Sequence, residues 1–102
     1  MIFNLTKTKY QISISSRFKK DYKKLSKQNK DKNKLIIVLE KLANGEKLDS
    51  KYYDHNLITN KIYKGCRECH IEPDWLLVYK IKNEELILLL IATGSHSKLF
   101  NK

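Results

Sequence analysis

Three histidines and one aspartate are the side chains in this sequence best suited to proton transfer: His55, His70, His96 and Asp74. All four lie in the second half of the chain, beside predicted loops or strand ends, where functional side chains are commonly presented. Imidazole titrates near neutral pH, so it can accept or donate a proton there. Such a set suits cleavage of an RNA backbone, in which the 2′-hydroxyl loses a proton, the leaving 5′-oxygen gains one, and positive charge balances the phosphorane. No metal is needed for this reaction, because RNA contains its own nucleophile.

The stretch Cys66-Arg67-Glu68-Cys69-His70 has the C-x-x-C-H spacing of a c-type haem attachment site. Haem attachment needs both thiols on one side of the macrocycle, whereas Cys66 and Cys69 point in opposite directions if they lie on a strand. A structural zinc site would need a second pair of cysteines or histidines to complete four ligands. We therefore interpret both cysteines as small buried hydrophobic residues, and we expect no metal and no cofactor.

Charge is distributed unevenly along the chain. There are 21 Lys and Arg residues against 11 Asp and Glu residues, a net charge of +10. Residues 1–51 hold 14 basic and 5 acidic side chains, a net +9, and the rest of the chain is close to neutral. This excess favours a polyanionic partner, nucleic acid rather than membrane. We expect Lys19, Lys20 and Lys23 to contact nucleic-acid phosphates.

The basic half predicts one short strand and two helices. Residues 10–14 alternate apolar and polar side chains, as a strand does. Ser15-Ser16 can cap a first helix, and Asn29 or Asp31 can cap a second helix that stops at Asn44-Gly45. The apolar positions at helical spacing are Phe18, Tyr22 and Leu25 in the first helix and Leu35, Val38, Leu39 and Leu42 in the second.

The second half predicts three strands after a loop over residues 47–60. The strands cover residues 64–71, 75–81 and 86–92, with turns between them. The last is apolar at every position, which fits a central strand covered on both faces. The order β-α-α-β-β-β implies one α+β domain over residues 1–102, with two N-terminal helices packed on an antiparallel sheet and residues 1–9 as an N-terminal extension.

We expect a cytoplasmic location, because the sequence shows neither a secretory signal nor a transmembrane segment. The opening MIFNLTKTKY lacks the apolar core of a secretory signal. No segment reaches the roughly 18 apolar residues that a transmembrane helix requires. We therefore expect no membrane association and reduced thiols.

Four separated segments resemble the YafQ branch of the RelE/ParE toxin superfamily. They are RFKKDYKKL at 17–25, DHNL at 54–57, RECHIEPDWLLVY at 67–79 and TGSHSKLF at 93–100. The resemblance covers roughly residues 10–100 in the family's order. It implies the β-α-α-β-β-β fold of that superfamily.

The resemblance also implies an activity, partners and site residues. It implies the toxin of a type II toxin-antitoxin system, an endoribonuclease that cuts mRNA in the ribosomal A site beside 16S rRNA and is inhibited by an acidic, partly disordered cognate antitoxin. By position, the family's active-site histidines match His55, His70 and His96, and its acidic residue matches Asp74. Its aromatic RNA contacts match Trp75 and Phe100. We expect His96 and Asp74 to transfer protons, and His55 and His70 to orient or stabilise the phosphate. The resemblance leaves open which histidine acts as base and which as acid.

One position departs from the family pattern. Many relatives carry arginine immediately before the Thr-Gly-[Ser/Thr]-His motif, where this chain has Ala92. Loss of that cation would cost a few kcal/mol of transition-state stabilisation, unless Arg67 or a neighbouring lysine replaces it.

Alternative roles remain for the protein and for several residues. The same fold could serve a ParE-like toxin that inhibits DNA gyrase, or an RNA-binding module without catalysis. Trp75 could belong to the core, Phe100 could cover its edge, and Arg67 could form a structural ion pair. The gyrase-directed branch has no need of the histidines, so their presence favours the nuclease.

Overall fold

The structure, a computed structural model, describes residues 8–100 of the chain. The predicted extension, residues 1–9, lies outside the described residues except for Thr8 and Lys9. No helix within residues 8–100 is long and apolar enough to cross a membrane. The elements are β1 (Gln11–Ile14), α1 (Ser16–Lys27), α2 (Lys32–Ala43), a 3₁₀ turn (Ser50–Tyr52), β2 (His55–Asn56), β3 (Arg67–Glu72), β4 (Trp75–Lys82), β5 (Ile87–Gly94) and α3 (His96–Phe100).

Both predicted helices form, and side-chain caps set where they begin. The Ser15 hydroxyl accepts a hydrogen bond from the Phe18 N–H at 3.0 Å, at the start of α1. The Asp31 carboxylate accepts one from the Asn33 N–H at 3.0 Å, at the start of α2. Each cap satisfies a backbone donor that has no partner inside its helix. Asp31, one of the two predicted candidates, therefore caps the second helix.

The predicted stop at Asn44-Gly45 is confirmed as the end of α2. Gly45 has φ +76°, a left-handed conformation that glycine adopts without steric cost. Its N–H donates to the Leu42 carbonyl, and the N–H of Glu46 donates to the Lys41 carbonyl at 2.9 Å. This pair of hydrogen bonds is a Schellman motif, which satisfies carbonyls at the helix end.

The sheet has five strands in the order β1-β5-β4-β3-β2. β3, β4 and β5 form the predicted antiparallel meander. Two features differ from the predicted antiparallel sheet: β1 lies parallel to β5, and β2 adds a two-residue edge strand beside β3 within the predicted loop. The sheet is therefore mixed, and the α+β class with two helices on one face is confirmed.

Both faces of the sheet are covered. α1 and α2 bury one face, and the large fully buried side chains include Trp75 and Tyr79 from β4. The loop 57–66 and α3 cover the opposite face over a smaller cluster. That cluster contains Tyr63, Cys66, Leu76, Val78, Ala92 and Leu99. β5 is an interior strand, as its apolar sequence predicted.

Two register shifts decide which side chains reach which face. In β5, Leu90 pairs with Tyr79 and Ala92 pairs with Val78, so Ile91 is an extra residue. Such a bulge reverses the alternation of side chains. Beyond it Thr93, opposite Leu77, faces the helices. A second shift, between β3 and β4, lies next to the β3–β4 turn.

The two cysteines lie in different clusters, on opposite faces of the sheet, as predicted. Cys66 precedes β3, which begins at Arg67 rather than at the predicted residue 64. Burial raises the pKa of both thiols, most strongly that of Cys69. Both are free cysteines in the apolar interior, so their interpretation as buried hydrophobic residues is confirmed.

Candidate active site

A buried carboxylate lies between two of the predicted histidines. Glu68 is only 5% exposed. Its Oε1 lies 3.6 Å from His55 Nε2 and 3.4 Å from His70 Nε2. β2 brings His55 directly opposite Glu68, and strand alternation places His70 on the same face of β3. The two-residue strand therefore joins two histidines that are 15 positions apart in the sequence.

The hydrogen bonds of both rings indicate how they carry protons. His55 Nδ1 lies 2.7 Å from the Tyr53 carbonyl oxygen, and His70 Nδ1 lies 3.2 Å from that of Pro73. A carbonyl oxygen only accepts, so each Nδ1 carries the hydrogen. A neutral ring would then turn the lone pair of Nε2 toward the Glu68 carboxylate. Each ring is therefore held by two contacts, one at Nδ1 and one at Nε2, which together fix its orientation.

Asp74 and His96 are joined across the start of the third helix. Asp74 Oδ1 accepts a hydrogen bond from the backbone N–H of His96 at 2.9 Å. Both residues are exposed. The His96 ring packs on Phe100 at 5.0 Å between centroids, and Phe100 packs edge-on against Tyr63 at 5.4 Å. These contacts fix the position of His96 while leaving its ring accessible.

Polar contacts from α1 hold the third helix against the sheet. The buried Tyr63 hydroxyl donates to the Leu99 carbonyl at 3.1 Å. It accepts a hydrogen bond from Arg17 Nη1 at 3.0 Å. Arg17 also pairs with Asp21 at 3.4 Å. The basic helix therefore supports the segment that carries His96.

One cleft of about 400 Å³ brings together residues from three separate segments. It is lined by residues 55–60, Ile62, Glu68, His96 and Phe100. His70 is linked to the cleft through Glu68, and Asp74 through its hydrogen bond to His96. The structure thus brings all four residues predicted to be catalytic to one region of the sheet.

Trp75 corrects the sequence prediction of an RNA contact. Its side chain is 0% exposed, so it cannot stack on a base in this structure. Its Nε1 donates to Thr93 Oγ1 at 3.0 Å, and that hydroxyl donates to the Leu76 carbonyl at 2.7 Å. The Thr93 N–H donates to Asp21 at 3.1 Å. Trp75 is a core residue that ties the start of β4 to the end of β5, as its alternative interpretation held.

Arg67 forms the structural ion pair that was one of its two predicted roles. Its Nη2 lies 2.9 Å from Asp54 Oδ2, and its Nη1 donates to Asn56 at 2.8 Å. Tyr79 donates its hydroxyl hydrogen to the same Asp54 carboxylate at 2.5 Å. Burial raises the pKa of Tyr79, and the Asp54 hydrogen bond adds to the effect. Arg67 lies opposite Tyr79 in the sheet, and it does not line the cleft.

The remaining predicted RNA contacts lie away from the cleft or at its wall. Lys19, Lys20 and Lys23 are exposed on the outer surface of α1, and none of them lines the cleft. Phe100 is half-buried in the cleft wall. Ala92 is fully buried in the smaller cluster.

Glu68 is the site residue that sequence reasoning did not assign. The predicted strand placed it on the same face as His70, two positions away. That register was the available signal. Its proximity to His55 could not be predicted, because it depends on β2, which the sequence pattern did not reveal.

The sequence profile of a family described as the bacterial toxin of type II toxin-antitoxin system, YafQ, matches residues 10–101. The chain is 40% identical over 90 residues to the mRNA interferase toxin YafQ of Escherichia coli strain B/BL21-DE3, an alignment covering 87% of this chain and 94% of that protein.

Two solved structures have the same fold. A metal-bound toxin from Helicobacter pylori is 45% identical, with a TM-score of 0.81 over 89% of this chain and 99% of that one. The toxin in the E. coli DinJ-YafQ toxin-antitoxin complex is 38% identical, with a TM-score of 0.79 over 90% of this chain and 98% of that one. The superposition extends over nearly the whole of both relatives.

Proposed function

This chain belongs to the YafQ toxin family of bacterial type II toxin-antitoxin systems, and from that premise we propose that it is an mRNA interferase. It cuts message in the ribosomal A site and thereby inhibits translation. Its substrate is RNA, whose 2′-hydroxyl attacks the adjacent phosphate. The products are a 2′,3′-cyclic phosphate and a 5′-hydroxyl end.

The observation that carries the proposal is the convergence of imidazoles and carboxylates in one region. Two imidazoles flank the Glu68 carboxylate at 3.4 and 3.6 Å, and a third lines the same cleft. The cleft is open to solvent, as access for a single strand of RNA requires. A gyrase-binding surface or a passive RNA-binding module needs no such set of proton-transfer groups.

The proton transfers fall to His96 and Asp74 in this proposal. One of the two removes the proton from the 2′-hydroxyl as the bond from O2′ to phosphorus forms. The other donates a proton to O5′ as the bond from phosphorus to O5′ breaks. The hydrogen bond from the His96 backbone to Asp74 supports this pairing, because it holds the two side chains on one rim.

Charge stabilisation falls to His55 and His70. They orient and stabilise the phosphorane, a role suited to the charge of the arginine that many relatives carry at the position of Ala92. Glu68 is a positioning residue, because its carboxylate lies beside Nε2 of both rings and restricts their rotation. Phe100 packs on His96 and offers an aromatic surface to the RNA. The lysines of α1, including Lys19, Lys20 and Lys23, contact ribosomal RNA phosphates outside the cleft.

Glu68→Gln is expected to lower kcat roughly tenfold, which corresponds to about 1.4 kcal/mol of transition-state stabilisation. The amide has nearly the same shape as the carboxylate but lacks the negative charge that faces Nε2 of both rings. KM and the melting temperature should change little. Single-turnover cleavage on programmed ribosomes measures this effect, with the exposed Glu84→Gln as the matched control. An unchanged kcat would show that Glu68 has no role in positioning the histidines.

A cognate antitoxin and a cytoplasmic location complete the proposal. Translating ribosomes are found in the cytoplasm. The net charge of +10 suits an acidic, partly disordered antitoxin that wraps the basic surface and blocks the cleft. The DinJ-YafQ complex supports a protein partner of this kind, because it contains a relative bound to its antitoxin.

Primer-extension mapping after induction tests the proposed function. Cleavage is expected in translated message and not in the same message carrying a mutated start codon. The new fragments should carry 5′-hydroxyl ends. Growth arrest without cleavage of either message would contradict the nuclease function, and relief of that arrest by gyrase overproduction would favour the ParE-like alternative.

A further inference from the structure

A second and larger cavity, of about 930 Å³, opens beside the cleft. We call it the edge groove, since it lies between α2, the 3₁₀ turn and the end of β3 at the edge of the sheet. His55 lines both the cleft and the edge groove, and His70 lines the groove. The edge groove therefore adjoins the proposed catalytic centre and shares a wall with it.

Tyr53 is the most exposed aromatic side chain of this groove, at 69%. Its backbone has φ +49°, a left-handed conformation that is unfavourable for a tyrosine and is found mainly where surrounding structure imposes it. The Tyr53 N–H donates to the Ser50 carbonyl at 3.1 Å, and its own carbonyl accepts from His55. Its ring meets the His70 ring edge-on at 5.7 Å. The molecule thus holds an exposed ring in a fixed position against the His70 imidazole.

The other walls of the groove suit a ligand that has a planar, apolar part and an anionic backbone. Ile37 is 50% exposed, and Ile71 and Pro73 add apolar surface. The acidic residue of the groove, Glu72, is paired with Lys34 at 2.7 Å and with Lys30 at 3.5 Å. The hydrogen bond from Lys34 lowers the pKa of Glu72. The two lysines compensate the negative charge of its carboxylate. Lys51 leaves the rim of the groove positively charged.

We propose that the edge groove binds the base of a nucleotide adjoining the scissile phosphate, with Tyr53 as its stacking surface. This inference rests on the proposed function and names a base-binding residue for it. When the scissile phosphate lies at His55 and His70, only one ribose separates it from the base of the adjoining nucleotide. That base therefore comes within reach of the groove. Stacking on an aromatic ring is available to every base, and the shape of the groove selects among them. A docked side chain of the antitoxin is the competing occupant, because it would use the same apolar walls.

The experiment uses the full chain and 70S ribosomes programmed with a message that carries 2-aminopurine at one A-site position at a time. A 2′-deoxy sugar at the scissile nucleotide prevents cutting, so that fluorescence reports binding alone. Tyr53→Asn removes the ring while tolerating the left-handed backbone, and Tyr53→Phe retains the ring. Leu86→Asn is the matched control, since Leu86 is 51% exposed and also has a left-handed φ, of +54°.

At one A-site position we expect quenching by the wild type, by Tyr53→Phe and by Leu86→Asn, and none by Tyr53→Asn. On cleavable message, Tyr53→Asn should raise KM about tenfold and reduce discrimination between bases at that position. Equal quenching and equal KM for Tyr53→Asn and wild type would overturn the inference while leaving the nuclease intact. A loss of antitoxin affinity in Tyr53→Asn with RNA binding unchanged would assign the groove to the antitoxin and also overturn it. Absence of cleavage by the wild type would remove both this inference and the function on which it rests.

Discussion

His96→Ala is expected to lower the rate of message cleavage by about 10²- to 10⁴-fold, the usual contribution of a general acid or base. His96 is exposed, and its backbone hydrogen bond to Asp74 survives the substitution. The fold should therefore be retained, and the loss should appear in kcat rather than in the melting temperature. Single-turnover cleavage on programmed ribosomes and growth after induction measure it.

The matched control for His96→Ala is Ser97→Ala, an exposed neighbour on the same helix whose hydroxyl lies 3.4 Å from that of Ser95. This control should cut at the rate of the wild type. If His96→Ala still arrests growth at full strength and still cuts message, His96 takes no part in proton transfer. If it arrests growth without cutting, the toxicity arises from binding rather than from catalysis.

Trp75→Ala is expected to cost about 3–5 kcal/mol of unfolding free energy, the range for removing a large buried aromatic side chain. The substitution leaves a cavity in the larger core cluster and removes the hydrogen bond that Thr93 receives. The melting temperature should fall by roughly 15–30 °C. Urea unfolding followed by circular dichroism measures the change, and Trp75→Phe, which keeps most of the packing, should lose much less.

The fluorescence of Trp75 distinguishes a buried side chain from one that stacks on an RNA base. Trp75 is the single tryptophan of the chain, so its fluorescence reports on this position alone. A buried indole should show little quenching when the protein binds RNA. Strong quenching, together with a Trp75→Ala variant that remains as stable as the wild type, would contradict its placement in the core and restore it as an RNA contact.

Elements with a local cause were predictable from the sequence. α1 and α2 follow from the spacing of their apolar residues and from caps such as Ser15 and Gly45, which act within a few residues. The three strands of the meander follow from turn residues and apolar runs. Strand alternation also placed Glu68 and His70 on one face before the fold was known.

Features with a non-local cause were not predictable. β2 has two residues, too few to show any period, and it exists because it pairs with β3. The parallel pairing of β1 with β5 joins residues 11–14 to residues 87–90, which lie far apart in the sequence. The exposure of Trp75 was ambiguous, since an indole suits both a core and a nucleic-acid surface. Its burial depends on Asp21 and Thr93, which meet only in the folded protein.

The extra residue Ile91 in β5 has a consequence for how this protein tolerates changes in chain length. Ile91 lies just before the segment that carries His96. Because of this extra residue, Thr93 lies on the face of the sheet that the helices cover. Deleting one residue at position 91 would move the side chains that follow it to the opposite face of the sheet. It would also pull His96 away from Asp74. The turn at residues 83–86 joins the same two strands at their other end, with four exposed residues. Insertions are therefore tolerable at that turn and damaging at the far end of the same hairpin.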